Sequence, residues 1–85
     1  MKRILFSLEK CPKCEAVQKE LVGDTIIIVL PHNLEDWKED EIAFAKKHNV
    51  LEDLKITAPI LVYENGEKLI GQLKILRRLR NEKKI

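Results

Sequence analysis

The sequence predicts an α/β sandwich in the order β-α-β-α-β-β-α, built on one four-stranded mixed sheet. Three observations predict it. Ile4-Leu5-Phe6 and Thr25–Leu30 are apolar runs of strand length, separated by a segment with helical spacing, and together they read as a βαβ unit. Ile60–Tyr63 and Glu67–Ile70 flank Asn65-Gly66, a strong short-range hairpin signal. An amphipathic stretch then runs from Gln72 to about Lys83. With 85 residues, 45% hydrophobic and 35% charged, the chain has room for a single domain, 1–85, around one small core.

Each element follows from local chemistry. Lys2–Ser7 is expected to be the first strand. Pro12 suits the first position of a helix, where its missing N–H would be unpaired in any case, so Cys11 becomes the N-cap and Cys14 the third helical residue. Cys14, Val17 and Leu21 then form one buried stripe, and Gly23 fits the position just past the helix end. Thr25–Leu30 is β-branched almost throughout and lacks polar alternation, which predicts a parallel strand covered on both faces. A helix is expected from about Leu34 to Lys47, with Asn33 as N-cap, a possible break near Glu39-Asp40, and an end at His48-Asn49. Val50, Leu51, Leu54 and Ile56 should anchor the next connection to the core. Pro59 is tolerable as the first residue of a strand over Ile60–Tyr63, and Asn65-Gly66 predicts a type I′ turn. In the last helix Leu73, Leu76 and Leu79 are expected inward and the arginines outward.

Composition excludes several functional classes. No apolar run approaches the ~20 residues of a membrane span. Met1-Lys2-Arg3 opens like a signal peptide, but Ser7 and Glu9 end the apolar stretch at once, so a cytoplasmic location is expected. Two cysteines in one short motif do not make a secreted disulfide scaffold. The formal net charge of +2 is too small to imply a nucleic-acid partner, although Lys74–Lys84 holds six basic residues against Glu82 alone. Cations in the last turns of a helix complement its C-terminal partial charge, which accounts for that cluster. A monomer is the default.

Cys11-Pro12-Lys13-Cys14 is the one chemically loaded motif. A disulfide across a single turn closes too small a ring to stabilise much by loop entropy, and is better suited to being made and broken. A sulfur at a helix N-terminus faces unpaired N–H groups and the positive end of the dipole, and Lys10 and Lys13 add charge of the same sign. Such settings lower a thiol pKa from about 8.5 to roughly 3.5–7.5. Cys11 is therefore expected to attack, and the stripe residue Cys14 to resolve. His32 and His48 have no zinc-ligand spacing to the pair, so no metal is expected within one chain; a metal shared by two chains stays open.

The motif resembles the glutaredoxin branch of the thioredoxin superfamily, and the likeness covers essentially the whole chain. Cys11-Pro12-Lys13-Cys14 is similar to that family's Cys-Pro-x-Cys, with Lys13 in place of the usual Tyr. Thr57-Ala58-Pro59 resembles its Thr-Val-Pro. Ile60–Gly66 followed by Leu69-Ile70-Gly71 resembles its closing hairpin. The resemblance implies a thioredoxin-like sheet in the order 2-1-3-4 with strand three antiparallel to strand one. It implies that Pro59 is cis beside the cysteines, and that Thr57, Ala58, Gly71 and Gln72 meet the substrate. It further implies a dithiol oxidoreductase acting on protein or small-molecule disulfides. No bound cofactor is expected, and glutathione or a thioredoxin reductase-like enzyme supplies electrons. Gly71 is followed by Gln72-Leu73-Lys74 rather than a second glycine and an acidic residue, a departure at the position where the family holds glutathione. Two other classes are compatible with the residues: a metal-binding module using the cysteine pair between chains, and a redox-silent interaction domain using Arg77, Arg78 and Arg80.

Overall fold

The N-terminal apolar run forms β1, Arg3–Leu8, in a computed structural model that describes residues 3–21 and 25–83. Helix α1 follows over Pro12–Glu20, and β2 over Thr25–Leu30. A single 3-10 turn at Leu34–Asp36 precedes α2, Glu39–Lys47, and the short α3, Leu51–Leu54. Strands β3, Ile60–Tyr63, and β4, Lys68–Ile70, lead into α4, Gln72–Lys83. The sheet order is β2-β1-β3-β4, with β1 and β2 parallel and the other two pairings antiparallel.

Side-chain alternation along β1 and β3 divides the core between the two sheet faces. Phe6, Ile60 and Val62 pack with Trp37, Ala45, Val50, Leu51 and Leu54 from the connections and α2–α3. Leu5, Leu61 and Tyr63 pack on the opposite face with Val17 of α1 and Ile75 and Leu79 of α4. Cys14 is one of the buried residues of the first cluster. None of the described helices is long and apolar enough to cross a membrane.

Several expectations need correction. Strand β2 is not covered on both faces: Ile26, Ile27 and Val29 are 43–52% exposed, because the strand lies at the sheet edge with β1 as its sole neighbour. The single helix expected over 34–47 is two pieces. The Trp37 indole N–H bonds to the Pro31 carbonyl at 2.8 Å, and the Trp37 backbone is extended. Helix α2 then starts afresh, its entry fixed by Glu41 Oε1 accepting from the Lys38 N–H at 2.8 Å, while Asn33 makes no side-chain cap bond. That carboxylate supplies the acidic half of a capping box.

Ile56 is 86% exposed and anchors nothing, unlike Val50, Leu51 and Leu54. Leu73 is 78% exposed, whereas Ile75 and Leu79, one helical turn apart, are the inward pair. The hairpin turn is not type I′, since Gly66 takes a left-handed backbone (φ 90°) and Asn65 does not. Gly66 N–H bonds to the Tyr63 carbonyl at 3.0 Å and Tyr63 N–H to the Glu67 carbonyl at 2.9 Å, giving a longer loop closed by a glycine bulge. Gly23 lies outside the described residues; Leu21 is the residue that caps α1.

Candidate active site

β1 and β2 are parallel and end on the same side, so the segments that follow them converge beyond their carboxyl ends. Lys10 turns the chain there with a left-handed backbone, φ 53°, a conformation that costs a residue with a Cβ about 1–2 kcal/mol. Cys11 is the N-cap of α1, and Pro12 is the first residue of the helix. The Cys14 N–H donates to Cys11 Sγ at 3.2 Å, so the sulfur satisfies one of the donors that every helix start leaves open.

The two cysteines are unbonded thiols in different surroundings. Cys11 is half-buried and lines an open groove of about 530 Å³. Cys14 is 1% exposed, and its sulfur accepts the Leu8 N–H at 3.5 Å. Burial, and next the hydrogen bond to Cys11, push the Cys14 thiol up to about 12, against the opposing Leu8 N–H and the Ser7 hydroxyl. Cys14 therefore keeps its proton while the dithiol is intact.

The groove brings together Lys10, Cys11, Pro12 and Lys13 from the β1–α1 junction with Thr57 and Ala58 from the segment before β3. Pro59 is fully buried behind them, and the Ala58–Pro59 peptide is cis. Gly71 and Gln72 are not among the groove-lining residues; Gly71 (φ 96°) instead donates its N–H to the Pro59 carbonyl at 3.0 Å, joining the end of β4 to the start of β3. Five further lining residues were not singled out from sequence for the site: Leu8, His32, Leu54, Lys55 and Ile56. His32 carried a usable signal, because the residue after a parallel edge strand must land beside the residue after its partner. Its Nδ1 meets the Glu9 carbonyl at 3.2 Å, and a carbonyl only accepts, so Nδ1 carries hydrogen and Nε2 is left for other partners.

The charged side chains lining the groove, Lys10, Lys13 and Lys55, are all basic. On α4, Arg78 is held by Glu67 at 2.8 and 3.2 Å and lies over the Tyr63 ring at 5.4 Å. That engagement removes Arg78 from an outward-facing basic cluster. Among the described residues there is no group of three or more His, Cys, Asp and Glu placed to hold a metal ion. Comparisons of the chain with protein-family models, curated proteins and solved structures return no significant match.

Proposed function

We propose that the protein is a dithiol thiol–disulfide oxidoreductase, thioredoxin-like in fold and glutaredoxin-like in type. The observation that carries this reading is the asymmetry of the pair. Cys11 sits at the mouth of a groove with a helix N–H on its sulfur, and Cys14 is buried one turn behind it. The first residue lines the groove and its sulfur accepts an N–H from the start of α1, the position from which an attacking cysteine would meet a disulfide. The second is within one helical turn, as a resolving thiol must be.

In the reaction, the Cys11 thiolate attacks one sulfur of a substrate disulfide, the substrate S–S bond breaks, and one substrate thiolate leaves and takes up a proton. Cys14 then gives up its proton and attacks Cys11 Sγ. The Cys11–Cys14 bond forms and the second substrate thiol departs, so two electrons and two protons pass from the dithiol to the substrate. Extended peptide is received along Thr57-Ala58, which line the groove beside Cys11. Glutathione or a reductase-supplied dithiol regenerates the pair, a role that suits a reducing compartment such as the cytoplasm, with a monomer as the default.

The test is a Cys14→Ser variant incubated with glutathione disulfide in the absence of added thiol. A covalent adduct at Cys11, found by peptide mass spectrometry and absent from wild type, is the expected result. Catalytic turnover by Cys14→Ser as fast as wild type, with no adduct, rules out the two-cysteine mechanism.

A further inference from the structure

The groove beside Cys11 has two features that the chemistry of the cysteine pair does not use. The first is His32, which lines it and is fixed from the protein side. The two carbonyls ahead of it are both held, Leu30 by the Glu9 N–H at 2.9 Å and Pro31 by the Trp37 indole at 2.8 Å. Its own Nδ1 is spent on the Glu9 carbonyl at 3.2 Å. That carbonyl accepts whether the ring is neutral or charged, so Nε2 is the nitrogen at which this ring gains or loses a proton. The second feature is Ile56, which lines the groove from the segment before the cis peptide and is 86% exposed. Its apolar area stays in water, a cost that an apolar side chain of a partner removes. Lys10, Lys13 and Lys55 are exposed along the same groove, Lys55 sharing its ammonium with Glu52 at 3.1 Å. Among the described residues no acidic side chain lines it.

We propose that the groove receives a protein disulfide flanked by carboxylates, and that His32 is the specificity-determining residue that binds one of them. The inference rests on the oxidoreductase reading and names the substrate class for the same groove. When such a segment enters, the ring takes a proton from solvent at Nε2 and donates it in a hydrogen bond to the carboxylate. Nδ1 stays on the Glu9 carbonyl, so the contact forms on a ring that is already oriented. The lysine ammonium groups attract the same segment, but on long flexible stems they do not fix its register. Ile56 makes the partner a polypeptide: a side chain next to the reacting cysteine covers it, and a small uncharged disulfide has nothing to do so. A hydrogen bond to a charged group at an exposed site corresponds to about 5- to 20-fold in rate constant.

The test is the second-order rate of thiol release when the reduced protein meets the disulfide of a capped tetrapeptide, Glu-Leu-Cys-Asp, or of its uncharged counterpart, Gln-Leu-Cys-Asn. In salt high enough to screen the lysines, wild type should reduce the acidic form about 5- to 20-fold faster. His32→Asn keeps a donor in the place of Nδ1 and has no nitrogen in that of Nε2. It should lose most of that ratio while reducing the uncharged peptide at the wild-type rate. Ile56→Ser should slow both peptides by about 2- to 5-fold and leave reduction of hydroxyethyl disulfide unchanged. With serine in place of the peptide's cysteine, the ring nitrogen shifts of His32 should show Nε2 gaining a proton on binding. Equal wild-type rates for the two peptides, an unchanged ratio in His32→Asn, or an Nε2 that gains no proton overturns the assignment and leaves the two-cysteine reading standing. Wild-type rates for both peptides in Ile56→Ser overturn the choice of a protein substrate. Wild type that releases thiol from neither peptide nor from hydroxyethyl disulfide overturns the oxidoreductase reading and the inference together.

Discussion

Cys11 and Cys14 are chemically identical and one turn apart, so everything that separates their behaviour comes from where the backbone puts them. Cys14 is raised from an ordinary value near 9 to about 12, first by burial and then by its hydrogen bond to Cys11. Two consequences follow from that direction. Alkylation by iodoacetamide needs a thiolate, so Cys14 should remain unlabelled up to about pH 10 in the reduced protein, while Cys11 is labelled first. Comparable labelling of both near neutral pH would show that the burial of Cys14 does not protect it. The folded state also prefers Cys14 protonated. Its contribution to stability is therefore complete below the unfolded value near 9 and is lost as the pH rises toward about 12.

The groove is made by three chain segments rather than by any one element: the β1–α1 junction supplies Lys10 and the first turn of α1 Lys13, the segment after β2 supplies His32, and the end of α3 with the segment after it supplies Leu54 to Ala58. On the oxidoreductase reading, its lysines would act on an anionic substrate through the solvent, where the Debye length is about 10 Å at 0.1 M ionic strength and about 30 Å at 0.01 M. Replacing Lys10, Lys13 and Lys55 together by Gln should slow reduction of an anionic disulfide such as glutathione disulfide by roughly 3- to 30-fold at low ionic strength. Reduction of the neutral hydroxyethyl disulfide should change little, and the difference should shrink on adding salt. Equal loss for both substrates would assign the lysines to the thiol chemistry instead. How far the elements were legible in the sequence depended on whether their cause was local. Cys11 and Pro12 at the start of α1 were legible because capping and the first-turn proline involve adjacent residues. The same holds for the end of α2. Asn49 there has φ 58°, its N–H bonds to the Lys46 carbonyl and the Val50 N–H to the Ala45 carbonyl, both at 3.0 Å. A break near Glu39-Asp40 was legible from the irregular apolar spacing, but its position at Trp37 was not, because it depends on the indole finding the Pro31 carbonyl. The exposure of β2 was misread because an unbroken β-branched run reads alike in a central and an edge strand.

At the scale of the whole molecule, β1 is the axis of the fold: the site grows from its carboxyl end, and α4 is tied to its amino end. Arg3, 8% exposed, pairs through its guanidinium with Glu82 Oε1 at 2.6 Å and donates from Nε to Thr25 Oγ1 at 2.9 Å. The Tyr63 hydroxyl donates to the other Glu82 oxygen at 3.2 Å. One carboxylate near the end of α4 thus ties the helix to a buried cation on β1 and to a phenol on β3. Removing one partner of a partly buried pair costs more than the pair contributes, because the other charge is left in a poor environment. The Glu82 side chain is 38% exposed, and solvent reduces that cost, so Glu82→Ala should destabilise by about 1–2 kcal/mol. In a domain of this size that lowers the melting temperature by roughly 5–15 °C. The exposed Arg78–Glu67 pair is the control: Glu67→Ala removes a carboxylate of the same kind from the surface and should shift the transition far less. Equal shifts for the two variants would mean that the Arg3 end of β1 is no better shielded than the hairpin. Cys11 alkylation should proceed at wild-type rate in Glu82→Ala, since the tie and the groove lie at opposite ends of the strand. A slowed Cys11 would instead mean that the docking of α4 is felt along the whole of β1.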